Sequence, residues 1–157
     1  MTETSQKQIQ TNYQLDGVLD DGKHDYHLRV QYEDTDAGGI VYHAQYLAFA
    51  ERARSAWLRC LDIDQPRLLS QKKQAFVVRH IDIDFLQAAA LGDVLSVTSE
   101  FVKIGGARVT LRQTITNVQF CLIVARLIVE IGFVNFQSAG VARACRMPPD
   151  ILKKLAI

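Results

Sequence analysis

At 157 residues, with 48% hydrophobic and 22% charged side chains, the chain has the size and balance of one globular domain able to bury a sizeable core. A formal net charge of +1 argues against nucleic-acid binding through a bulk basic excess, and leaves room for a local basic patch around a phosphorylated ligand. Cys60, Cys121 and Cys145 are odd in number, widely spaced and without a C-x-x-C, the pattern of free thiols in a reducing compartment.

Residues 1–23 are rich in Thr, Gln and Asp, and read as a flexible leader because so few apolar residues cannot repay the entropy of ordering. A packed extra strand is the alternative. The opening MTETSQKQIQTNYQL has no apolar segment of the kind a secretory signal needs, so a cytoplasmic protein is expected. One domain then spans residues 24–157. Residues 25–32 alternate, with Tyr26, Leu28 and Val30 on one face, which predicts a first strand.

The densest chemistry follows, in YEDTDAGGIVYHAQYLAFAERAR from Tyr32 to Arg54. Glu33, Asp34, Asp36, the pair Gly38-Gly39 and His43 stand directly before an amphipathic segment. The spacing of Tyr46, Ala50, Ala53, Trp57 and Leu61 predicts a helix over 45–61 with one buried stripe. Its alanines keep it thin enough for a sheet to approach. A helix N-terminus presents unsatisfied N–H groups and the positive end of its dipole. A carboxylate opposite such donors suits attack on a carbonyl, with the donors stabilising the oxyanion.

Residues 77–86 alternate, with Ile81, Ile83 and Phe85 against His80, Asp82 and Asp84, and predict a strand. Residues 88–93 form a turn around Gly92. Strands are predicted over 94–104 and 108–117, joined by Gly105-Gly106, with Val109, Leu111 and Ile115 facing in. Residues 120–135 are apolar on both faces, which implies a strand covered on its outer side as well. Arg126 and Glu130 and the short length argue against a membrane span there. After Pro148-Pro149-Asp150, residues 151–155 suggest a short terminal helix. One long helix before a run of antiparallel strands gives an α+β class. The sheet surface it leaves uncovered calls for self-association.

The run Tyr32-Glu33-Asp34-Thr35-Asp36-Ala37-Gly38-Gly39-Ile40-Val41-Tyr42-His43, continued by Tyr46 and Glu51-Arg52-Ala53-Arg54, closely resembles the signature of hotdog-fold acyl-CoA thioesterases. The group is the 4-hydroxybenzoyl-CoA thioesterase type, and the Tol-Pal-associated branch is the most similar. The resemblance extends more diffusely to Pro148. It implies a curved antiparallel sheet around one long helix, in a homodimer or homotetramer, and hydrolysis of acyl-CoA to a carboxylic acid and CoA. By the same resemblance Asp36 matches the catalytic carboxylate, as nucleophile or as base toward water. The N–H of His43 would meet the thioester oxygen, and Tyr32 would orient Asp36 or line the acyl pocket. The alternative readings are a turn or capping aspartate for Asp36, a surface or helix-capping histidine for His43, and a strand-end aromatic filling the core for Tyr32.

Gly38 and Gly39 let the backbone approach the substrate. Lys103, Arg108 and Arg112 flank or occupy the Gly105-Gly106 hairpin and are candidates for the CoA phosphates. Pocket depth would depend on how Phe49, Trp57, Phe76 and residues of a second subunit meet. Glu51 and Arg54, one turn apart, read as a structural pair near the subunit contact. No cofactor is implied, since CoA arrives as part of the substrate. His24, His27 and His80 lack a second ligand at metal spacing, so no metal site is predicted. Asp34 and Asp36 share one loop and cannot flank a sugar as glycosidase carboxylates do. The rival readings are a hotdog dehydratase, whose Asp-x-x-x-x-His motif is not found in its usual context, and a non-catalytic acyl-CoA-binding adaptor. The adaptor would dock on an envelope or lipid-synthesis complex. Nucleic-acid and membrane-spanning roles are not expected.

Overall fold

The alternating segments become one antiparallel sheet. The structure, a computed structural model, describes residues 15–137 and 140–156. Among these, seven strands form: β1 (Val18–Asp20), β2 (Lys23–Arg29), β3 (Gln74–Phe85), β4 (Val94–Ile104), β5 (Arg108–Asn117), β6 (Leu122–Phe136) and β7 (Ala142–Ala144). They pair in the order β1-β2-β4-β5-β6-β3, and β7 runs beside the end of β6, where β5 has stopped. The helices are α1 (Gln45–Cys60), α2 (Gln65–Lys72) and α3 (Pro149–Leu155), with a 3-10 turn at Tyr32–Asp34. None of the described helices is long and apolar enough to cross a membrane.

β4 and β5 take the predicted bounds. The first strand departs at both ends. It starts at Lys23 and stops at Arg29, because the chain turns into the 3-10 segment. Residues 18–23 are not a leader: β1 pairs with β2, Val18 opposite Asp25 and Asp20 opposite Lys23. The turn between them is Asp21-Gly22 with φ of 45° and 73°, the two-residue Asp-Gly hairpin whose backbone twist suits paired strands. Residues 1–14 of the expected leader lie outside the described residues. A second correction is α2, absent from the one-helix reading. Asp64 caps it by accepting from the Arg67 N–H at 2.9 Å, Pro66 opens it, and Lys73 ends it at φ 55°. The terminal helix begins at Pro149, slightly before the predicted start.

α1 lies across β2 and β4 on the inner face of the sheet. Phe49, Ala50, Ala53 and Ala56 are fully buried, and Trp57 is 2% exposed. They meet a sheet face built from Leu95, Val97, Leu111, Ile115, Leu127, Val129 and Phe133. Alanines at the contact bring the helix axis close, so larger residues on the sheet fill the space. One long helix against an antiparallel sheet is the α+β hotdog arrangement. The outer face of β6 is more open than its composition implied, with Arg126 exposed and Ile128 37% exposed.

Polar groups are buried in this interface as well. Gln113 takes an inward position on β5 that alternation gives to an apolar residue, and is fully buried. Its Oε1 accepts from Arg54 Nη1 at 2.7 Å, and its Nε2 donates to Ala50 O at 3.1 Å and Ser99 Oγ at 2.9 Å. Arg54, 6% exposed, also pairs with Glu51 at the surface. The network fixes where α1 sits over β4 and β5. His24 is fully buried too, stacked parallel to Trp57 at 6.0 Å between ring centroids. Its Nε2 lies 2.6 Å from Asp16 O, which requires that nitrogen to carry the proton and donate. Its Nδ1 has no partner among the described residues. Asp16 in turn pairs with Arg59 on α1. Gly17, next after Asp16, has φ 77°, and a Cβ there would stand 2.3 Å from Asp25 O, so only glycine fits.

Two outcomes follow from these groups. Gln113→Leu leaves the Arg54 guanidinium without its buried acceptor and should destabilise the fold by about 2 kcal/mol. Adding Arg54→Met should recover part of that loss, and equal urea midpoints for single and double variants would refute the network. Burial holds the His24 imidazole below its ordinary value of 6.5, the nearby Asp16 and Asp25 opposing and Arg59 reinforcing the shift. Below 6.5 the unfolded chain binds a proton that the folded chain refuses. Its stabilisation is therefore full above 6.5 and is lost as the pH falls toward the folded value. Urea melts followed by Trp57, the single tryptophan, should show this slope, and His24→Gln should flatten it.

Candidate functional site

The first turn of α1 and the loop before it form one unit. Ala44 occupies the N-cap with helical backbone angles and no side-chain cap. Gln45 N–H donates to Tyr42 O at 2.8 Å, and Leu47 N–H to Ala44 O at 3.2 Å. The N–H groups of His43 and Ala44 have no acceptor among the described residues. Left bare by the alanine cap, this end of the helix can receive a partial negative charge.

Residues 34–42 form a small hairpin that stands against this end. Tyr42 N–H donates to Asp34 O at 2.9 Å, Thr35 bridges Val41, and Asp36 N–H donates to Ile40 O at 3.0 Å. At its tip Gly39, φ 76°, donates to Asp36 O at 3.0 Å, and Gly38 N–H donates to Asp36 Oδ1 at 2.8 Å. A Cβ on Gly38 would come within 3.1 Å of that oxygen, so the glycine lets the carboxylate fold back onto its own loop. The hairpin is tied to residues 89–90 by the Ile40–Ala90 bridge and by Val41 N–H to Ala89 O at 2.8 Å. The Tyr46 hydroxyl accepts from Ala89 N–H at 3.3 Å, and burial pushes its phenol up, keeping it neutral. Tyr46 thus joins helix, hairpin and sheet, a role that periodicity alone assigned to core packing.

Of the two aspartates, Asp34 is 1% exposed and Asp36 is at the surface. His43 is exposed too, its ring 4.5 Å from Tyr42 and edge-on to Phe85 at 6.2 Å. Asp36, Gly38, Gly39 and His43 therefore share one hairpin and helix end. Tyr32 is 84% exposed, which excludes core filling, and no hydrogen bond joins its phenol to Asp36. Phe49 and Trp57 are core residues, and Phe76 packs on Phe133 at 5.0 Å.

The expected phosphate-binding residues lie elsewhere in the subunit. Lys103 and Arg108 line a groove of about 850 Å³ with Arg79, Thr110, Glu130 and the Gly105-Gly106 backbone. This groove is at the far end of β4 from the hairpin, about 30 Å away at strand rise. Arg112 is not in it. It donates to Glu100 at 3.0 Å, and this contact, with Lys23, holds the Glu100 carboxyl below its usual range. Arg79 was not anticipated, because a single arginine in a strand carries no pattern.

Residues 38–119 match the thioesterase superfamily. The acyl-CoA thioesterase YbgC of Haemophilus influenzae is 48% identical over 96 residues, 61% of this chain and 70% of that protein. The crystal structure of a probable thioesterase from Bartonella henselae superposes with a TM-score of 0.71 at 35% identity, covering 80% of this chain and 99% of that one. A 4-hydroxybenzoyl-CoA thioesterase from Pseudomonas superposes with a TM-score of 0.78 at 15% identity, over 84% and 98% of the two chains, and shows the shared fold. With the motif, the sheet and the helix all in agreement, the chain belongs to the thioesterase superfamily.

Proposed function

We propose that the chain hydrolyses acyl-CoA thioesters to the carboxylic acid and CoA. The observation that carries this reading is the exposed Asp36 carboxylate on a hairpin locked beside the unoccupied His43 and Ala44 N–H groups. The thioester oxygen would accept from these donors, and the Asp36 carboxylate would attack the carbonyl carbon or deprotonate the water that does. On the first route the C–S bond breaks to leave an acyl–Asp36 anhydride, which water hydrolyses to the free acid and the restored carboxylate; on the second the water adduct expels the thiolate directly, and on both the CoA thiolate takes up a proton that the water releases. A carboxylate, N–H donors and water complete this reaction, so it calls for no metal or redox group. The likeness to YbgC, an acyl-CoA thioesterase by name, supports the substrate class.

The same reading makes the working unit a homodimer. β3 is an edge strand of 12 residues, far longer than β1 at the other edge, and Val78, Phe85 and Leu86 on or beside it are 44–50% exposed. A long unpaired edge with apolar side chains is closed by a second copy. Antiparallel pairing of two β3 strands about their middle would set Val77 of one near Asp82 of the other. Phe85, which touches the His43 ring, lies three residues further on. The basic groove of one subunit then comes within about 10 Å of the helix end of the other, close enough for Arg79, Lys103 and Arg108 to meet CoA phosphates.

Thiol release from CoA esters of short to long chains and of benzoyl type tests the first claim. Turnover should fall at least 1000-fold in Asp36→Asn while ester binding persists. Saturable binding without turnover in the wild type would instead favour the acyl-CoA-binding adaptor. For the second, Arg79→Ala/Arg108→Ala should raise KM for CoA esters about ten-fold or more with little change in kcat, and should leave KM unchanged for a pantetheine ester that lacks the nucleotide. Equal KM values for wild type and variant on CoA esters would remove the groove from the site.

A further inference from the structure

We infer that Asp34, the buried first aspartate of the D-x-D pair, is the positioning residue that sets the carboxylate loop and the helix end in register. This rests on the reading of Asp36 above and adds a residue to it. Asp34 closes the 3-10 turn as a clasp with two hands. Its Oδ2 accepts from Gln31 N–H at 2.7 Å, gripping the chain before the turn. Its main-chain oxygen accepts from Tyr42 N–H at 2.9 Å, gripping the chain after the hairpin. Tyr42 O accepts from Gln45 N–H at 2.8 Å, so the second grip continues directly into the first turn of α1.

The consequence concerns two groups at once. The Asp34–Tyr42 bond is the base of the hairpin whose tip holds Asp36, and each further pair, Thr35 with Val41 and Asp36 with Ile40, stacks on it. The same bond fixes the backbone that leads from Tyr42 to His43, and with it the direction of the unpartnered His43 N–H. Carboxylate and oxyanion donor therefore share one support. At 1% exposure that support is shielded from water, where a hydrogen bond holds its geometry best. A displacement of about 1 Å in such a constellation costs on the order of 100-fold in rate.

The clasp needs an acceptor at the Oδ2 position and does not use the second oxygen, since Oδ1 has no partner among the described residues. Geometry and charge are therefore separable. Asp34→Asn keeps an oxygen for Gln31 N–H without the charge. Asp34→Glu keeps the charge but overfills a buried site and moves the oxygen. Asp34→Ala removes the side-chain grip on Gln31 and leaves the main-chain bond to Tyr42.

The experiment measures kcat and KM for a CoA ester in these three full-length variants beside Asp36→Asn, with circular dichroism and Trp57 fluorescence reporting the fold. Asp34→Ala and Asp34→Glu should lose about 100-fold in kcat with KM within two-fold of wild type. Asp34→Asn should regain at least ten-fold of the Asp34→Ala loss. Wild-type turnover in Asp34→Ala would overturn the inference, because the side chain would then place nothing; a folded Asp34→Glu at least as active as Asp34→Asn would overturn it too, because charge rather than placement would then matter. The Asn–Glu comparison decides the question even where Asp34→Ala does not fold. Full turnover in Asp36→Asn would strike the underlying reading instead, a result distinguishable from both.

Discussion

The seating of α1 on the sheet is the contact on which the rest depends. Four fully buried residues, Phe49 and three alanines, bring the helix down onto β2 and β4. Apolar packing of this kind supplies most of the stability but tolerates sliding along the axis. The Arg54–Gln113–Ser99 network removes that freedom, because a buried guanidinium and amide satisfy each other in one position only. Once the helix is pinned, the place of its N-terminus is pinned as well.

From there the site is assembled by hydrogen bonds between backbone segments and a few side chains. Tyr46 reaches from the helix to Ala89, residues 40 and 41 bridge to residues 89 and 90, and Asp34 ties the 3-10 turn to Tyr42. The division of labour between the two aspartates follows from exposure. The buried one holds the loop, and the exposed one is free to meet a substrate. A bare helix end, without the Ser, Thr, Asp or Asn that would cap it, completes the arrangement.

Much of the fold was legible in the chain. The Gly105-Gly106 connection and the alternation of Val109, Leu111 and Ile115 gave β4 and β5, and the three- and four-residue spacing of Tyr46, Ala50, Ala53 and Trp57 gave α1. What was missed had local signals that composition masked. The Asp21-Gly22 turn announces β1 but lies within a polar stretch, and Asp64 with Pro66 announces α2 but opens a helix with few apolar residues. The β5–β6 connection lacks a glycine. Asn117 fills that need by accepting from the Gln119 and Phe120 N–H groups, and Cys121 takes φ 54°.

The sequence by itself determined the class of the protein: an α+β chain with a motif of closely spaced carboxylate, glycine and histidine before one amphipathic helix. Those features are local, and their spacing is preserved in any fold that forms the helix. Only the tertiary structure decided which residues the motif shares its neighbourhood with. It buried Asp34 and left Asp36 exposed, placed Tyr32 in solvent, and drew Gln113 under Arg54. It also set Lys103 and Arg108 beside Arg79 at the far end of the sheet and gave Arg112 to Glu100. Each of these depends on strand order and register, which are fixed by long-range pairing and leave no trace in the spacing of residues along the chain.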